Sequence, residues 1–260
     1  KGKEGWLFTL DAPSYGAFVK YADSRDLREK MYKAFMSVGN KGDEYDNQEI
    51  IRKIVNDRLA IAKLMGYPNY AAFELSHKMA KNSENVYKLL NQLLDAYKPV
   101  AINEYNAVQG FAIGKEQQNI VVQPWDWSYY SEKLKNIRFN VNDEMTRPYF
   151  QLENVKKGVF GLATQLYGIT FKENKKIPVY NEEVQAYEVY DEDGKFLAVL
   201  YTDFFPRSGK QSGAWMNGIK SQSKDAKGKD NRPHIIIVMN FTRPTESKPA
   251  LLTFSEVETL

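Results

Sequence analysis

No cysteine occurs among the 260 residues. That removes disulfide bonds, thiolate nucleophiles and cysteine-rich zinc sites, and it fits a reducing compartment. Histidine is scarce too: His77 and His234 stand far apart, in no His-Glu-x-x-His pattern. Catalysis by a protein-bound zinc needs about three side-chain ligands, usually with histidines at helical spacing. Neither histidine makes a metal site: His77 reads as a packing or surface residue of an amphipathic helix, and His234 as the opening of a strand. Long apolar runs are missing; Ile235 to Met239 is strand-sized and far short of a membrane span. Charge of one sign is missing as well, because a net charge of +3 is too small a surplus to argue for nucleic acid. The start, Lys1-Gly2-Lys3-Glu4-Gly5-Trp6, has no initiating Met and no apolar segment after its lysines. It reads as neither a signal peptide nor a natural beginning.

What is present is ordinary globular composition. Hydrophobic residues are 43% and charged residues 27%, enough to build a core and unlike a disordered chain. The length suffices for one large domain or two ordinary ones.

The first half reads as helices. Ser14 is a candidate cap for a helix with apolar residues at Phe18, Tyr21, Ala22, Met31, Tyr32 and Phe35, ending near Gly39. A second runs from about Asn47 through Ile50, Ile54 and Leu59 to Gly66, with Pro68 beyond it. A short third covers Tyr70 to Ala80. Ser83 then caps a long one that bends at Pro99 and continues towards Phe111. The stretch from Gln123 to Val141 reads as a loop and short helix. Its Trp125-Asp126-Trp127-Ser128-Tyr129-Tyr130 run is a core anchor, with Asp126 the evident hydrogen-bond partner for the indole and phenol groups. Another helix, from Phe150 to Leu166, closes at Gly168.

The character then changes. Val184–Tyr190 and Phe196–Tyr201 are β-rich and flank Asp191-Glu192-Asp193-Gly194, a hairpin signal favoured over a calcium loop whose ligands are out of register. A Gly/Ser/Lys-rich stretch from Pro206 to Arg232 reads as a solvated mobile loop. It lacks the spacing of a phosphate loop and the order of a nucleophile elbow. A strand from His234 to Phe241 follows. The expected fold is α+β and predominantly helical: a helical part over 1–168, then a small mixed sheet over 169–260. At the end, Thr253-Phe254-Ser255-Glu256 has capping-box spacing, and Val257 and Leu260 begin an apolar stripe. One turn of helix is marginal alone, so the natural chain is expected to continue past Thr259-Leu260.

Taken in order, several stretches resemble the thimet oligopeptidase and peptidyl-dipeptidase family of zinc peptidases. They are Leu10-Asp11-Ala12-Pro13-Ser14-Tyr15, Trp125-Asp126 with Tyr129-Tyr130, and Arg147-Pro148-Tyr149-Phe150 with Gly158-Val159-Phe160. Nearer the expected active site come Tyr201 to Lys210, Ser212-Gly213-Ala214-Trp215-Met216, Asn240-Phe241-Thr242, and Pro249 through Leu260. The peptidyl-dipeptidase branch is the nearest resemblance. In that family the residues after the equivalent of Thr259-Leu260 read Phe-His-Glu-Phe-Gly-His, which supplies two zinc ligands and a general base. The resemblance therefore implies a parent that hydrolyses short peptides with a zinc-activated water, within a larger, mostly helical fold. It also implies that these residues alone bind no zinc and hold no catalytic residue.

What the resemblance leaves to this chain is substrate positioning. Gly213, Ala214 and Trp215 resemble the edge strand that pairs with an extended peptide backbone in related zinc peptidases. A surface loop or an ordinary strand remains open for them. The rival readings are a non-enzymatic peptide-binding or interaction module using the same strand, and RNA binding through the Arg207–Arg232 cations. Short peptides are the expected partners, with no nucleic acid and no membrane. Cytoplasmic location is expected, with an exported parent the alternative, and the piece alone is expected to self-associate.

Overall fold

The computed structural model describes residues 4–260; Lys1, Gly2 and Lys3, where the absence of a leader was read, lie outside the described residues. The chain folds as two compact units, one of residues 17–134 and one of residues 1–16 with 135–260.

The unit of residues 17–134 is helical. The first expected helix is two, α1 (Ala12–Tyr21) and α2 (Arg25–Met36). Arg28 explains the break. Its guanidinium donates to the carbonyls of Ala22 at 2.8 Å and Asp23 at 3.0 Å, taking up acceptors a continuous helix would have used internally. Ser24, not Ser14, caps α2 by accepting from the Leu27 amide. Helix α3 (Gln48–Leu64) ends as expected at Gly66, in the left-handed region at φ +82°. Helix α4 (Tyr70–Leu75) stops five residues short of the expected Ala80. Helix α5 (Ser83–Glu116) is capped by the Asn82 side chain, not Ser83, and carries Pro99 inside.

The Trp/Tyr-rich stretch is one full helix, α6 (Pro124–Phe139). Pro124 suits the first helical turn, where its missing N–H costs nothing. The core of this unit joins the second half of α5 to α6 and the segment between them: Val108, Ala112, Ile120, Val122, Tyr129 and Tyr130. Asp126 does not serve the neighbouring phenols. It is wholly buried and accepts from Arg25 and Arg28, while Tyr129 donates to Asp23 and Tyr130 to Glu116. Two guanidiniums satisfy a buried carboxylate better than neutral hydroxyls do, because its charge must be matched. Burial would raise the Asp126 pKa, but the Arg25 and Arg28 hydrogen bonds outweigh it and hold the group below its ordinary value. Elsewhere α3 and the first half of α5 leave Ile50, Ile51, Val55, Leu89, Leu90 and Leu94 exposed.

The other unit carries the sheet. Helix α7 (Asp143–Thr146) leads to α8 (Leu152–Tyr167), which is closed as expected by Gly168 at φ +70°. Strands β1 (Thr170–Glu173), β2 (Gln185–Tyr190), β3 (Phe196–Asp203), β4 (Trp215–Lys220) and β7 (His234–Val238) form one sheet in the order β1-β2-β3-β7-β4. Only β3 and β7 run parallel, so the sheet is mixed as expected. The β2–β3 hairpin turns at Asp191–Gly194, where the Gly194 amide donates to the Asp191 carbonyl. Two short strands, β5 (Ser223–Lys224) and β6 (Asp230–Asn231), pair between β4 and β7 in sequence.

Helix α8 covers one face of this sheet. Phe160 stacks on Phe171 at 4.1 Å and meets Tyr187 edge-on. The other face holds Ala186, Val199, Tyr201, Ile236 and Val238, with Trp215 packed against them. A second cluster, Leu152, Phe204, Met239, Phe241, Ala250 and Leu252, receives Val257 and Leu260 from the last helix, α9 (Phe254–Thr259). The apolar stripe expected there is half-buried against a core.

Candidate functional site

Strand β4 is one edge of the five-stranded sheet and pairs only with β7, so its other side is free among the described residues. The register runs Trp215 opposite Val238, Met216 opposite Ile237, Asn217 opposite Ile236 and Gly218 opposite Ile235, then shifts so that Lys220 meets His234. Ile219 falls at that irregularity and is exposed. Bulges of this kind, and a lysine at the rim, are common devices for keeping an edge from pairing with another sheet.

Two of the three residues singled out as peptide-binding lie just before β4, and the third opens it. Gly213 sits at φ +99°, a conformation that L side chains rarely adopt, and nothing lies within 4 Å of where a Cβ would stand. Ala214 is exposed. Trp215 begins the strand, and its ring packs against the sheet's core cluster. Its side chain is thus a floor for the edge, while backbone is what the edge presents.

The entrance to β4 is pinned by a four-residue segment, Met239–Thr242, that continues β7. Successive residues of this segment reach different elements. The Met239 amide donates to the Asp203 carbonyl at 2.7 Å, and the Phe241 amide to the Phe204 carbonyl at 2.8 Å, extending the β3–β7 pairing. Between them, Asn240 Nδ2 donates to the carbonyls of Gln211 at 3.0 Å and Gly213 at 2.7 Å. Thr242 then donates to the Glu256 carboxylate through its amide at 2.6 Å and its hydroxyl at 3.0 Å. Glu256 is the expected capping-box residue: its Oε2 accepts from the Thr253 amide at 2.7 Å while Thr253 Oγ1 accepts from the Glu256 amide at 3.2 Å. One carboxylate therefore caps α9 and ties it to the segment that also holds the entrance to β4.

Beneath that entrance lies a buried ionic cluster. Asp203 is 1% exposed and accepts from Arg207 Nη1 at 2.7 Å and Nη2 at 2.8 Å, from Lys210 Nζ at 2.8 Å, and from the Tyr180 hydroxyl. Lys210 also donates to the carbonyls of Asp203, Phe205 and Met239. Burial alone would raise the Asp203 pKa; the hydrogen bonds from Arg207, Lys210 and Tyr180 overcome it and lower the group to about 2. This corrects the reading of Arg207 to Arg232 as a solvated loop. Its first two cations are structural, because a buried carboxylate and a cluster of inward carbonyls hold them, and β4, β5 and β6 occupy much of the rest.

The histidines keep bland surroundings. His234 Nδ1 lies 3.3 Å from the Tyr201 hydroxyl, and burial, then Lys220, push its pKa down. His77 meets Phe73 edge-on. No group of three or more His, Cys, Asp or Glu side chains able to hold a metal exists among the described residues. The donor set does not fit a zinc centre. Nor, among those residues, is any helix long and apolar enough to cross a membrane. Asn240 was named only within a motif; its hold on the Gln211 and Gly213 carbonyls and the second role of Glu256 escaped the sequence reading. Capping-box spacing marks Glu256 as a local cap, but nothing in the sequence signals its reach to Thr242, fourteen residues away.

Residues 18–260 match the model of peptidase family M3. The chain is 37% identical to oligopeptidase A of Escherichia coli, aligning over 100% of its own length and 39% of that protein's. It is 35% identical to a dipeptidyl carboxypeptidase of Salmonella typhimurium, over 99% of the chain and 38% of the relative. An organellar oligopeptidase A of Arabidopsis thaliana is 39% identical over 98% of the chain and 33% of the relative. The chain thus spans about two fifths of the length of the first two curated relatives.

Proposed function

The chain belongs to peptidase family M3, and on that premise we propose that its protein is a zinc-dependent peptidase of short peptides in which these 260 residues position the substrate. In this reading the free edge of β4 receives an extended peptide as an added strand, with Gly213 and Ala214 leaving room for its backbone and Trp215 flooring the groove. The metal ligands lie outside these residues, so the 260 residues alone hydrolyse nothing. The observation that carries the reading is the double tie of the Met239–Thr242 segment. Asn240 sets the entrance to the peptide edge and Thr242 sets α9, so the two keep a fixed relation through the two peptide bonds that join these residues. Such rigid placement is what catalysis by orientation requires.

The test uses the full-length protein. Hydrolysis of a quenched short peptide is expected, lost on chelation and restored by zinc. A non-hydrolysable peptide is expected to slow amide exchange over Trp215–Gly218. Hydrolysis indifferent to chelator would overturn the metal, and unchanged exchange at bound peptide would overturn the edge. Peptide binding with slowed exchange but no hydrolysis under any metal would make the protein a peptide-binding module on the same edge. The apolar residues that α3 and α5 leave exposed support the expectation that the 260 residues by themselves self-associate.

A further inference from the structure

We propose that the basic hairpin inserted between β4 and β7 gives this protein a preference for peptides carrying acidic side chains; the proposal rests on the reading of β4 as the peptide edge. The hairpin pairs Ser223 with Asn231 and Lys224 with Asp230, and it leaves β4 just after Lys220 and rejoins β7 at His234. It therefore stands at one end of the free edge, the end where Lys220 faces His234. Five cations, Lys220, Lys224, Lys227, Lys229 and Arg232, accompany two carboxylates in this stretch. Both carboxylates are already engaged. Asp225 accepts from the amides of Lys227 and Lys229 and so forms the turn, and Asp230 pairs with Arg232 at 2.8 Å. Arg232 is further held by the Leu197 carbonyl. The four lysines are exposed and, among the described residues, have no carboxylate partner.

Four exposed ammonium groups stand against the one remaining carboxylate charge, that of Asp225, whose partners are neutral amides. The three positive charges left in surplus beside a strand edge make a local positive field. An acidic side chain on a peptide docked along β4 enters it within about one Debye length, roughly 8 Å at physiological salt. Each exposed pair contributes little, so the preference is a collective and salt-sensitive effect. The field also reaches inward, since Lys220 adds to burial in disfavouring a charged His234. A peptide fits this site better than single-stranded RNA does. Residues 217–232 contain no aromatic side chain on which bases would stack, whereas the adjoining edge offers backbone groups that an extended peptide can pair with.

The test measures binding of three fluorescent, non-hydrolysable peptides to the full-length protein by anisotropy. They share one neutral centre and carry flanking Glu, Gln or Lys residues. The native protein is expected to bind the Glu peptide roughly three- to ten-fold more tightly than the Lys peptide, a range set by a few exposed charge pairs. That ratio is expected to fall towards one in about 0.5 M salt. It is expected to fall likewise in a variant with Lys220→Gln, Lys224→Gln, Lys227→Gln and Lys229→Gln, whose fold is checked by circular dichroism. A ratio near one in the native protein, or a ratio unchanged in the variant, would overturn the proposal. So would a short single-stranded RNA that binds more tightly than the Glu peptide and competes with it. Amide exchange over Trp215–Gly218 is recorded in parallel: charge discrimination without slowed exchange there removes the β4 platform, while slowed exchange without discrimination removes only the hairpin's role.

Discussion

Asp126, in the unit of residues 17–134, and Asp203, in the sheet-bearing unit, are each almost wholly buried, and each faces two cations. They recruit those cations from very different distances along the chain. Arg25 and Arg28 come from α2, about a hundred residues before Asp126. Arg207 and Lys210 lie four and seven residues after Asp203. The same chemistry therefore does two jobs. Around Asp126 it joins α2 to α6 and fixes the break between α1 and α2. Around Asp203 it shapes one tight chain reversal, so that the segment towards β4 leaves the end of β3 along a defined path.

The largest difference between the two clusters should appear on removing each carboxylate charge. Asp126→Asn leaves Arg28, which is 1% exposed, with a buried charge that backbone carbonyls only partly match. A loss of about 3–5 kcal/mol is expected, read from the denaturation midpoint. Asp203→Asn should cost less, about 2–3 kcal/mol, because Lys210 keeps three carbonyl acceptors and Arg207 is partly solvated. Equal losses would mean that the range of the pairing does not matter, and the contrast would be broken.

Acid sharpens the contrast. A carboxyl held at about 2 when folded, against an ordinary 3.8, stabilises the fold fully above about pH 4 and loses that contribution as pH falls towards 2. The amount is roughly 2 kcal/mol for a shift of this size. Asp203→Asn should therefore flatten the stability profile between pH 4 and 2. The native protein should retain the slope, and an unchanged slope in the variant would place the acid sensitivity elsewhere.

The smallest effect is expected at Asn240. Asn240→Ala removes two exposed hydrogen bonds to backbone, so global stability should fall by about 1 kcal/mol or less. Amide exchange at Gln211–Met216 should nonetheless accelerate while exchange in β3 stays slow. Acceleration spread evenly over the sheet would instead make Asn240 an ordinary stabilising residue.

How much of this was legible beforehand depends on reach. The β2–β3 hairpin, the stop at Gly168 and the cap at Thr253 were all readable. In each, the groups that satisfy one another lie within about five residues. Helix α6 was misread in part because Asp126 and Glu132 are buried on its packed side, where an amphipathic pattern calls for apolar residues. The break before α2 was invisible because Arg28, the residue that fixes it, looks like any surface arginine. Strand β4 shows no alternation, since its residues after Trp215 are exposed on both faces; motif resemblance, not periodicity, pointed to Gly213, Ala214 and Trp215.

The sequence by itself determined the α+β class, a helical part followed by a sheet with its β2–β3 hairpin, the capped start of α9 and the family resemblance. Those follow from propensities, caps and turn residues that act locally. Only the tertiary structure decided that β4 is a free edge, that Lys210 is buried while the later lysines stay in solvent, and that Glu256 ties α9 to the segment beside β4. Each of those depends on which distant groups meet when the sheet closes, and strand order and burial are set by packing that no local window contains.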